Sequence, residues 1–287
     1  MSAGAPRRLS TLYLTDLDGT LFDDTPGLSE RTRTILNRLL DEGLLFSVAT
    51  ARSAASALEK LEGLRLRLPV ALMNGVLLFR TDTRTYVGHT AIDCGTAARV
   101  MDAMEEFGQS AYVFTFAQGQ LYANFRDLST PHQRQFCEER RSSGLKRFER
   151  VDRFRDLLGR RDVIFFSVTG AYEELLPLCE RVRAIGGGLD VLMYEDFVNR
   201  IWYLEIFDAR AGKAAALRQL RSISGAEETV CFGDNYNDVE MMRAADRSYA
   251  VANAVDAARA SATGVIGHHC SDAVALFIRD EWEARTR

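Results

Sequence analysis

The sequence has 287 residues, of which 47% are hydrophobic and 26% are charged. This composition is typical of globular proteins, and the length suits two domains. The 36 basic and 40 acidic side chains leave a net charge of −4, so no overall positive field indicates nucleic acid as a partner. The five cysteines show no C-x-x-C spacing and their number is odd. We therefore expect no disulfide framework and a reducing, cytoplasmic setting.

The N-terminal segment gives no targeting signal. Arg7 and Arg8 are not followed by an apolar run, and no stretch of about 20 apolar residues occurs in the chain. The sequence therefore predicts neither a signal peptide nor a membrane span, and no membrane partner is expected. A monomer or weak homodimer is the expected state in solution.

Short apolar runs alternate with amphipathic segments in the first part of the chain. Continuous apolar runs are typical of parallel strands that are covered by helices on both faces. The predicted elements are, in order, a strand at 12–15, a helix at 29–43, a strand at 45–49, a helix at 53–61 and a strand at 70–73.

The pattern changes to hairpins and isolated helices in the middle of the chain, which predicts a mixed α+β arrangement. Thr130 and Pro131 suit the cap and first position of a helix. The other predicted elements are a hairpin at 77–79 and 85–87, a helix at 96–107, a hairpin at 112–116 and 120–125, a strand at 163–168, a helix at 173–184, and paired strands at 189–193 and 201–206.

The alternating pattern returns at Lys213. Its elements are a helix ended by Gly225, a strand at 229–232, a helix at 239–245, a strand at 249–251 and a helix at 271–284. The sequence therefore predicts an α/β fold, with a Rossmann-like, doubly wound parallel sheet formed by residues 1–82 and 208–287. An α+β domain at residues 83–207 is inserted into it.

The most specific motif is Asp-Leu-Asp-Gly-Thr at residues 16–20, directly after a predicted strand. Ligands of open α/β sheets bind at the carboxyl ends of the strands. There, Asp16 can attack phosphorus as a nucleophile, and Asp18 can move a proton to the leaving group and later from water. The alternative is a turn in which both aspartates only satisfy backbone donors.

A second acidic motif, Gly-Asp-Asn-Tyr-Asn-Asp at residues 233–238, also follows a predicted strand. Asp234 and Asp238 are four residues apart, so both can face one point where a helix begins. Carboxylate oxygens suit Mg²⁺. Helix capping explains either aspartate taken singly, but it does not explain two acidic motifs after parallel strands.

Two further residues favour an anionic ligand. Thr50 closes a strand, with Arg52 two residues later, and its hydroxyl can hold a phosphate oxygen or cap a helix. Lys213 opens a helix, where the helix dipole disfavours a cation unless an anion lies nearby. A solvated lysine is the simpler explanation when Lys213 is considered alone.

Taken together and in this order, the four motifs resemble the haloacid dehalogenase-like hydrolase superfamily, in particular its Cof-type, class IIB phosphatases. The resemblance implies that Mg²⁺ is held by Asp16, Asp234 and the backbone carbonyl of Asp18, with Asp238 in an outer position. It also implies that Thr50, Lys213 and Asn237 bind the phosphate. Residues 83–207 then form a cap that selects a small phosphorylated substrate.

The match has two departures and one unexplained segment. Ala51 stands where the branch usually has glycine, and Asn253 lacks a glycine often seen before it. Residues 134–161 carry ten basic and five acidic side chains. A solvated surface is the favoured interpretation of that segment, and a site for a second anionic group is the alternative. The four histidines show no ligand spacing, and we assign none of them to chemistry.

The predicted function is therefore Mg²⁺-dependent hydrolysis of small phosphomonoesters, such as a sugar phosphate, through an aspartyl-phosphate. A phosphomutase of the phosphomannomutase type is an alternative, although the motif at residues 233–238 is compact for that group. A non-catalytic binding module would be expected to have lost a carboxylate or the lysine. A receiver domain, which also phosphorylates an aspartate beside Mg²⁺, is a further alternative. The long insertion at residues 83–207 and the acid/base role of Asp18 argue against it.

Overall fold

The computed structural model describes residues 10–23, 27–128, 130–141, 144–196 and 200–286. The segment before residue 10, for which no signal peptide is predicted, lies outside the described residues. The side chain of Arg141 also lies outside them. Among the described residues, no helix has the length and apolar character that crossing a membrane requires.

The strands are, in chain order, β1 (Thr11–Thr15), β2 (Leu45–Val48), β3 (Val70–Leu72), β4 (Leu77–Arg80), β5 (Thr85–His89), β6 (Ala111–Ala117), β7 (Gln120–Phe125), β8 (Arg147–Arg150), β9 (Asp162–Gly170), β10 (Leu189–Asp196), β11 (Ile201–Asp208), β12 (Glu228–Gly233), β13 (Arg247–Ala250) and β14 (Gly264–Val265). The helices are α1 (Glu30–Asp41), α2 (Ala54–Lys60), α3 (Cys94–Glu106), α4 (Pro131–Arg141), α5 (Tyr172–Ile185), α6 (Lys213–Ser224), α7 (Val239–Ala244), α8 (Asp256–Ser261) and α9 (Ala273–Thr286). The chain divides into two compact units, Met1–Val87 with Gly212–Arg287 and Gly88–Ala211.

The first unit contains a five-stranded parallel sheet with the order β14-β13-β12-β1-β2. All five residues of β1 are buried, which explains its continuous apolar run. From β1 the sheet extends in one direction to β2, and from β12 it extends in the other direction to β13 and β14. This change of direction marks the point where ligands bind in such sheets. Helix α1 contacts α9, and α6 contacts α7. The predicted doubly wound fold is confirmed.

A three-stranded sheet, β3-β4-β5, belongs to the same part of the chain, and the predicted hairpin at 77–87 is confirmed. The turn between β3 and β4 places Met73, Asn74 and Gly75 at positive φ. Gly75 has φ +86°, and a Cβ on it would lie 2.5 Å from the carbonyl oxygen of Gly212. The turn therefore requires glycine at this position both for its backbone angle and for the space it leaves.

The second unit is built on a six-stranded sheet with the order β10-β11-β9-β6-β7-β8. Its helices α3 and α5 contact each other and pack against β9. The buried residues at this contact include Val100 and Met104 of α3, Leu178 of α5, and Phe166 and Val168 of β9. The α+β character predicted for this part of the chain is confirmed.

The prediction lacks the two-residue strand β14, the short helix α8 and the strand β8. Strand β8 pairs in parallel with β7 and has the sequence Arg-Phe-Glu-Arg. Such a short and highly charged segment has almost no apolar signal, and it lies at the edge of the sheet, where charged side chains are tolerated. Sequence patterns do not detect strands of this kind.

Lys146 departs from the solvated surface that we favoured for residues 134–161. It is only 2% exposed. Its Nζ lies 4.2 Å from the ring centroid of Phe136, 5.3 Å from that of Phe148 and 5.7 Å from that of Phe114. Burial lowers the pKa of Lys146 to about 7, because removal from water disfavours the charged form. The favoured interpretation is therefore wrong for this residue.

Glu205 of β11 is a buried acid of the same unit, with 8% of its surface exposed. Burial raises its pKa from 4.5 to about 7, although a hydrogen bond from Tyr194 acts in the opposite direction. The Tyr194 hydroxyl donates that bond to Oε1 at 3.0 Å. Because the pKa of Glu205 is raised on folding, its contribution to the stability of the fold is fully present below pH 4.5. This contribution is lost as the pH rises through 7.

We expect Gly75→Ala to lower the free energy of unfolding by about 2 kcal/mol or more, because the new Cβ meets backbone that cannot rotate away. Gly43→Ala is the matched control, since Gly43 has φ +101° but has open space around its missing Cβ. It should cost about 1 kcal/mol, which is the effect of positive φ alone. Urea unfolding measures both variants, and equal losses would contradict the steric explanation.

We expect the stability of the second unit to fall by on the order of 3 kcal/mol between pH 4.5 and 7.5, and to fall much less in Glu205→Gln. The measurement is urea unfolding followed by tryptophan fluorescence in a Trp282→Phe background. The chain has two tryptophans, so Trp202 of β11 is then the only one. The exposed residue Glu180, as Glu180→Gln, is the control. A parallel pH dependence in Glu205→Gln and the parent would show that Glu205 is not responsible.

Candidate active site

Two acidic side chains meet at the carboxyl edge of the parallel sheet. Asp16 directly follows β1, and Asp234 directly follows β12. The two strands are neighbours and run parallel, with Thr15 opposite Phe232. The backbone N–H of Asp16 donates to the carbonyl of Phe232 at 3.0 Å. The site therefore lies at the point where the strand order changes direction, as expected for this class of sheet.

Two glycines make room for these carboxylates. Gly19 has φ +74°, and a Cβ on it would lie 2.7 Å from Oδ2 of Asp234. A Cβ on Gly233 would lie 2.5 Å from Cγ of Asp238. Both distances are shorter than carbon and oxygen atoms allow, so each acidic motif depends on its glycine for close approach.

A cluster of three carboxylates forms the centre of the site. Asp16, Asp234 and Asp238 each offer an oxygen, and these oxygens all lie within 4.8 Å of one another. Burial raises the pKa of Asp16 well above its ordinary value, and it also raises that of Asp234. Lys213 opposes the shift at Asp16, and a hydrogen bond from Thr20 opposes the shift at Asp234. The cluster is thus an environment in which added positive charge is favourable.

Lys213 lies between two of these carboxylates. Its Nζ donates to Oδ1 of Asp16 and to Oδ1 of Asp238, both at 2.6 Å. The residue is 3% exposed. Burial acts to lower the pKa of Lys213, but the charges of Asp16 and Asp238 outweigh it and raise the pKa. As noted from the sequence, a lysine at the start of a helix is disfavoured unless an anion lies nearby. Here that anion is a pair of aspartates.

Asp238 has both oxygens engaged by protein donors. Oδ1 accepts from Lys213, and Oδ2 accepts from the backbone N–H groups of Asp234 at 2.9 Å and Asn235 at 3.0 Å. The residue is fully buried. Asp238 therefore holds Lys213 and the start of the loop after β12, which suits a residue that orients its neighbours.

The donor set fits a divalent cation with oxygen ligands. Three carboxylates face one ammonium group, which leaves an excess of two negative charges in a largely buried cluster if all three are ionised. Asp16 Oδ2 is not the oxygen that Lys213 contacts, and Asp234 uses Oδ1 to accept from Thr20 at 2.7 Å. Hard oxygen ligands of this kind favour Mg²⁺ or a similar ion.

Asp18 is placed differently from the other aspartates of the site. Its carboxylate pairs with Arg52, which donates from Nε at 2.7 Å and from Nη2 at 2.6 Å. The Asp18 side chain is 52% exposed, and that of Arg52 is 27% exposed. The sequence drew attention to Arg52 through its distance from Thr50 but gave it no role. No local pattern signals the pairing, because it joins two different loops.

Thr50 and Asn237 are linked through a third residue. Thr50 is 1% exposed, and its hydroxyl oxygen accepts from the backbone N–H of Arg52 at 3.1 Å. The carbonyl of Thr50 accepts from the backbone N–H of Asn74 at 2.9 Å. The Asn74 side-chain oxygen in turn accepts from Asn237 at 3.3 Å. Asn74 therefore connects two of the motifs.

Two other residues support the loop after β1. The Thr20 hydroxyl donates to Asp234, as described above. Asn253 donates from Nδ2 to the carbonyl of Gly19 at 2.8 Å and accepts from the backbone N–H of His269 at 3.1 Å. The sequence included Thr20 in its first motif and Asn253 in the resemblance, but it indicated neither contact, because each joins segments more than 200 residues apart.

We expect Lys213→Met to lower the free energy of unfolding of the first unit by about 3–5 kcal/mol, because it leaves Asp16 and Asp238 buried without their cation. Addition of Mg²⁺ should recover part of the loss by supplying positive charge. Urea unfolding followed by the fluorescence of Trp282 in a Trp202→Phe background measures the effect. The control is Arg218→Gln, which removes a cation from the exposed face of the same helix. A loss no larger than that of the control would contradict the electrostatic argument.

Comparison with known proteins gives consistent results. The family model for haloacid dehalogenase-like hydrolases matches residues 13–278. A 5-amino-6-(5-phospho-D-ribitylamino)uracil phosphatase of Bacillus subtilis is 24% identical, with 94% of this chain and 96% of the relative covered. A pyridoxal phosphate phosphatase of Escherichia coli is also 24% identical, with 92% and 95% covered.

Solved structures show the same fold. The structure of TM0651 from Thermotoga maritima has a TM-score of 0.73 at 20% identity and covers 96% of this chain and 97% of its own. The subclass IIB sugar phosphatase BT4131 has a TM-score of 0.69 at 18% identity, with 94% and 98% covered. The chain belongs to the haloacid dehalogenase-like hydrolase family, and it is a phosphatase of that family.

Proposed function

We propose that this enzyme hydrolyses small phosphomonoesters with Mg²⁺, through a phosphoryl group carried on Asp16. One observation carries the proposal. The Asp16 carboxylate lies buried at the carboxyl end of β1, held by Lys213 on one oxygen and facing Asp234. A fixed carboxylate beside positive charge is what attack on an anionic phosphate requires.

The metal site in this proposal consists of Asp16, Asp234 and the backbone carbonyl of Asp18, with Asp238 in an outer position. When bound, Mg²⁺ supplies positive charge that reduces the repulsion between Asp16 and the phosphate. Lys213, already oriented by Asp238, adds charge from the protein itself. Asp238 thus acts through Lys213 and the loop after β12, and it does not contact the substrate.

In the first step, the oxygen of Asp16 forms a bond to phosphorus as the bond from phosphorus to the ester oxygen breaks. Asp18, released from Arg52 and protonated from solvent, donates that proton to the departing oxygen, so that an alcohol leaves. In the second step, the Asp18 carboxylate takes a proton from water, and the water oxygen attacks phosphorus. The bond to Asp16 breaks, which releases inorganic phosphate and restores the aspartate.

Asp18 must leave Arg52 to perform these steps. An ion pair in which both side chains are partly exposed contributes about 1 kcal/mol or less, so its loss is a small cost. The arrangement therefore keeps the proton-transferring residue close to the site without fixing it. Arg52 is a positioning residue in this scheme.

Thr50, Lys213 and Asn237 bind the transferring phosphoryl group in this proposal. The transition state of phosphoryl transfer is loose and spreads negative charge over three oxygens, so hydrogen-bond donors and cations at fixed positions stabilise it. Thr50 has a buried hydroxyl at the end of β2, and the network through Asn74 fixes its position relative to Asn237.

The substrate is proposed to be a small phosphorylated metabolite, read by a cap formed by residues 83–207. Several relatives are named for phosphate esters of this size, including pyridoxal phosphate and a phosphorylated ribitylaminouracil. We also place the enzyme in the cytoplasm, because its five cysteines remain as thiols and exported proteins more often pair them.

We expect phosphate release from a panel of phosphomonoesters to require Mg²⁺, and Asp16→Asn to reduce it by about three orders of magnitude or more, because the amide keeps the shape but cannot act as the nucleophile. The panel should include sugar phosphates, pyridoxal phosphate and p-nitrophenyl phosphate. Asp256→Asn, on a carboxylate that is 98% exposed, is the control and should retain the parent rate.

Equal rates in the parent and Asp16→Asn would contradict the mechanism. Formation of mannose 6-phosphate from mannose 1-phosphate and a bisphosphate activator, without free phosphate, would indicate a phosphomutase instead.

A further inference from the structure

Three loops meet beside the carboxylate cluster, and the third of them has no task in the mechanism proposed above. The first loop follows β1 and contains Gly19 and Thr20, and the second follows β12 and begins with Asp234. The third loop follows β13 and occupies residues 251–255. Its sequence is Val-Ala-Asn-Ala-Val, which contains no acidic side chain that could bind a cation. Its contacts, however, reach both of the other loops.

The hydroxyl of Thr20 links the first loop to the second. It donates to Oδ1 of Asp234 at 2.7 Å, and Thr20 is only 1% exposed. The other oxygen of the same carboxylate, Oδ2, would lie 2.7 Å from a Cβ on Gly19. The carboxylate of Asp234 therefore packs directly against the first loop, and the hydrogen bond from Thr20 restricts its rotation.

The third loop is bonded to each of the other two. Nδ2 of Asn253 donates to the carbonyl of Gly19 at 2.8 Å. The backbone N–H of Val255 donates to the carbonyl of Asp234, also at 2.8 Å. With the bond from Thr20 to Asp234, these contacts form a closed ring in which every loop is bonded to both of the others.

The side chain of Asn253 is itself held at both ends of its amide group. Its nitrogen donates to Gly19, and its oxygen accepts from the backbone N–H of His269 at 3.1 Å. A carbonyl can only accept and an N–H can only donate, so these two partners define the orientation of the amide. Asn253 therefore supports the first loop from a fixed position.

A closed ring of contacts is important here because the two carboxylates of the proposed metal site come from different strands. Asp16 follows β1 and Asp234 follows β12, so the separation of their oxygens depends on how the loops are held. Mg²⁺ requires nearly ideal octahedral geometry and tolerates displaced ligands poorly. Partners that fix the ligands of a metal ion therefore increase its affinity, and their loss typically costs about tenfold to 100-fold.

We propose that Thr20 and Asn253 are positioning residues for the divalent cation. Thr20 orients the carboxylate of Asp234, and Asn253 fixes the loop that carries Thr20. Neither residue contacts the ion, and each acts through the ring of three loops. The inference rests on the proposed Mg²⁺ site, but it does not depend on the steps of phosphoryl transfer.

Binding of Mn²⁺ to the full-length protein without substrate tests the proposal. Mn²⁺ also prefers oxygen ligands, and its free-ion electron paramagnetic resonance signal is lost on binding. We expect Thr20→Val to weaken binding about tenfold or more, because valine keeps the shape of threonine but cannot donate to Asp234. Thr20→Ser keeps the hydroxyl and should bind nearly as the parent does. The control is Thr34→Val, at an exposed threonine of α1.

Asn253→Ala tests the second residue independently and should also weaken Mn²⁺ binding about tenfold or more. Circular dichroism before titration shows that each variant is folded. Saturating Mg²⁺ should restore most of the phosphate release in Thr20→Val and Asn253→Ala, because mass action compensates for a weaker site. A general loss of structure would not be restored in this way.

Two results would overturn the inference, and they differ in what they say about the proposed function. Parent-like Mn²⁺ affinity in both Thr20→Val and Asn253→Ala would remove the positioning roles and leave the Asp16 mechanism in place. Absence of Mn²⁺ binding in the parent would remove the metal site itself, and the positioning roles with it. An equal loss in Thr20→Ser and Thr20→Val would show that the hydroxyl is not responsible.

Discussion

The ammonium group of Lys213 joins three parts of the chain, one of which, at Asp16, is almost 200 residues away in sequence. It contacts Asp16 after β1 and Asp238 in the turn after β12, and it is itself the first residue of α6. All three side chains are buried, so removal of Lys213 leaves two carboxylates without their cation in a medium that solvates charge poorly. The positions of β1, β12 and α6 relative to one another are therefore tied to a single electrostatic arrangement.

The site combines fixed and movable acids. Asp238 is held by three donors, and Asp16 is held by Lys213, so both occupy defined positions before any ligand arrives. Asp18 is half-exposed and paired with an arginine that is itself partly exposed. A nucleophile benefits from a fixed position, whereas a residue that gives and takes a proton must adapt to two different oxygens. The difference in burial between Asp16 and Asp18 matches the roles that we propose for them.

Much of the first unit could be predicted because its signals are local. Continuous apolar runs gave β1, β2 and β12, and acidic motifs directly after β1 and β12 placed Asp16 and Asp234 at one edge of the sheet. What sequence patterns missed depends on long-range contact or on weak local signals. The pairing of Asp18 with Arg52 joins two loops, and the burial of Lys146 depends on three aromatic rings. The strand β8 consists almost entirely of charged residues.

The order of strands has a consequence for synthesis on the ribosome. β1 pairs with β2 on one side, which follows it by about 30 residues, but its other neighbour, β12, follows it by more than 200. During translation, one edge of β1 therefore has no partner until most of the chain has been made. An unpaired apolar strand is prone to associate with other chains. Until Glu228–Gly233 emerges from the ribosome, we therefore expect the nascent protein to depend on a chaperone that covers β1 or on a delay in the folding of β1.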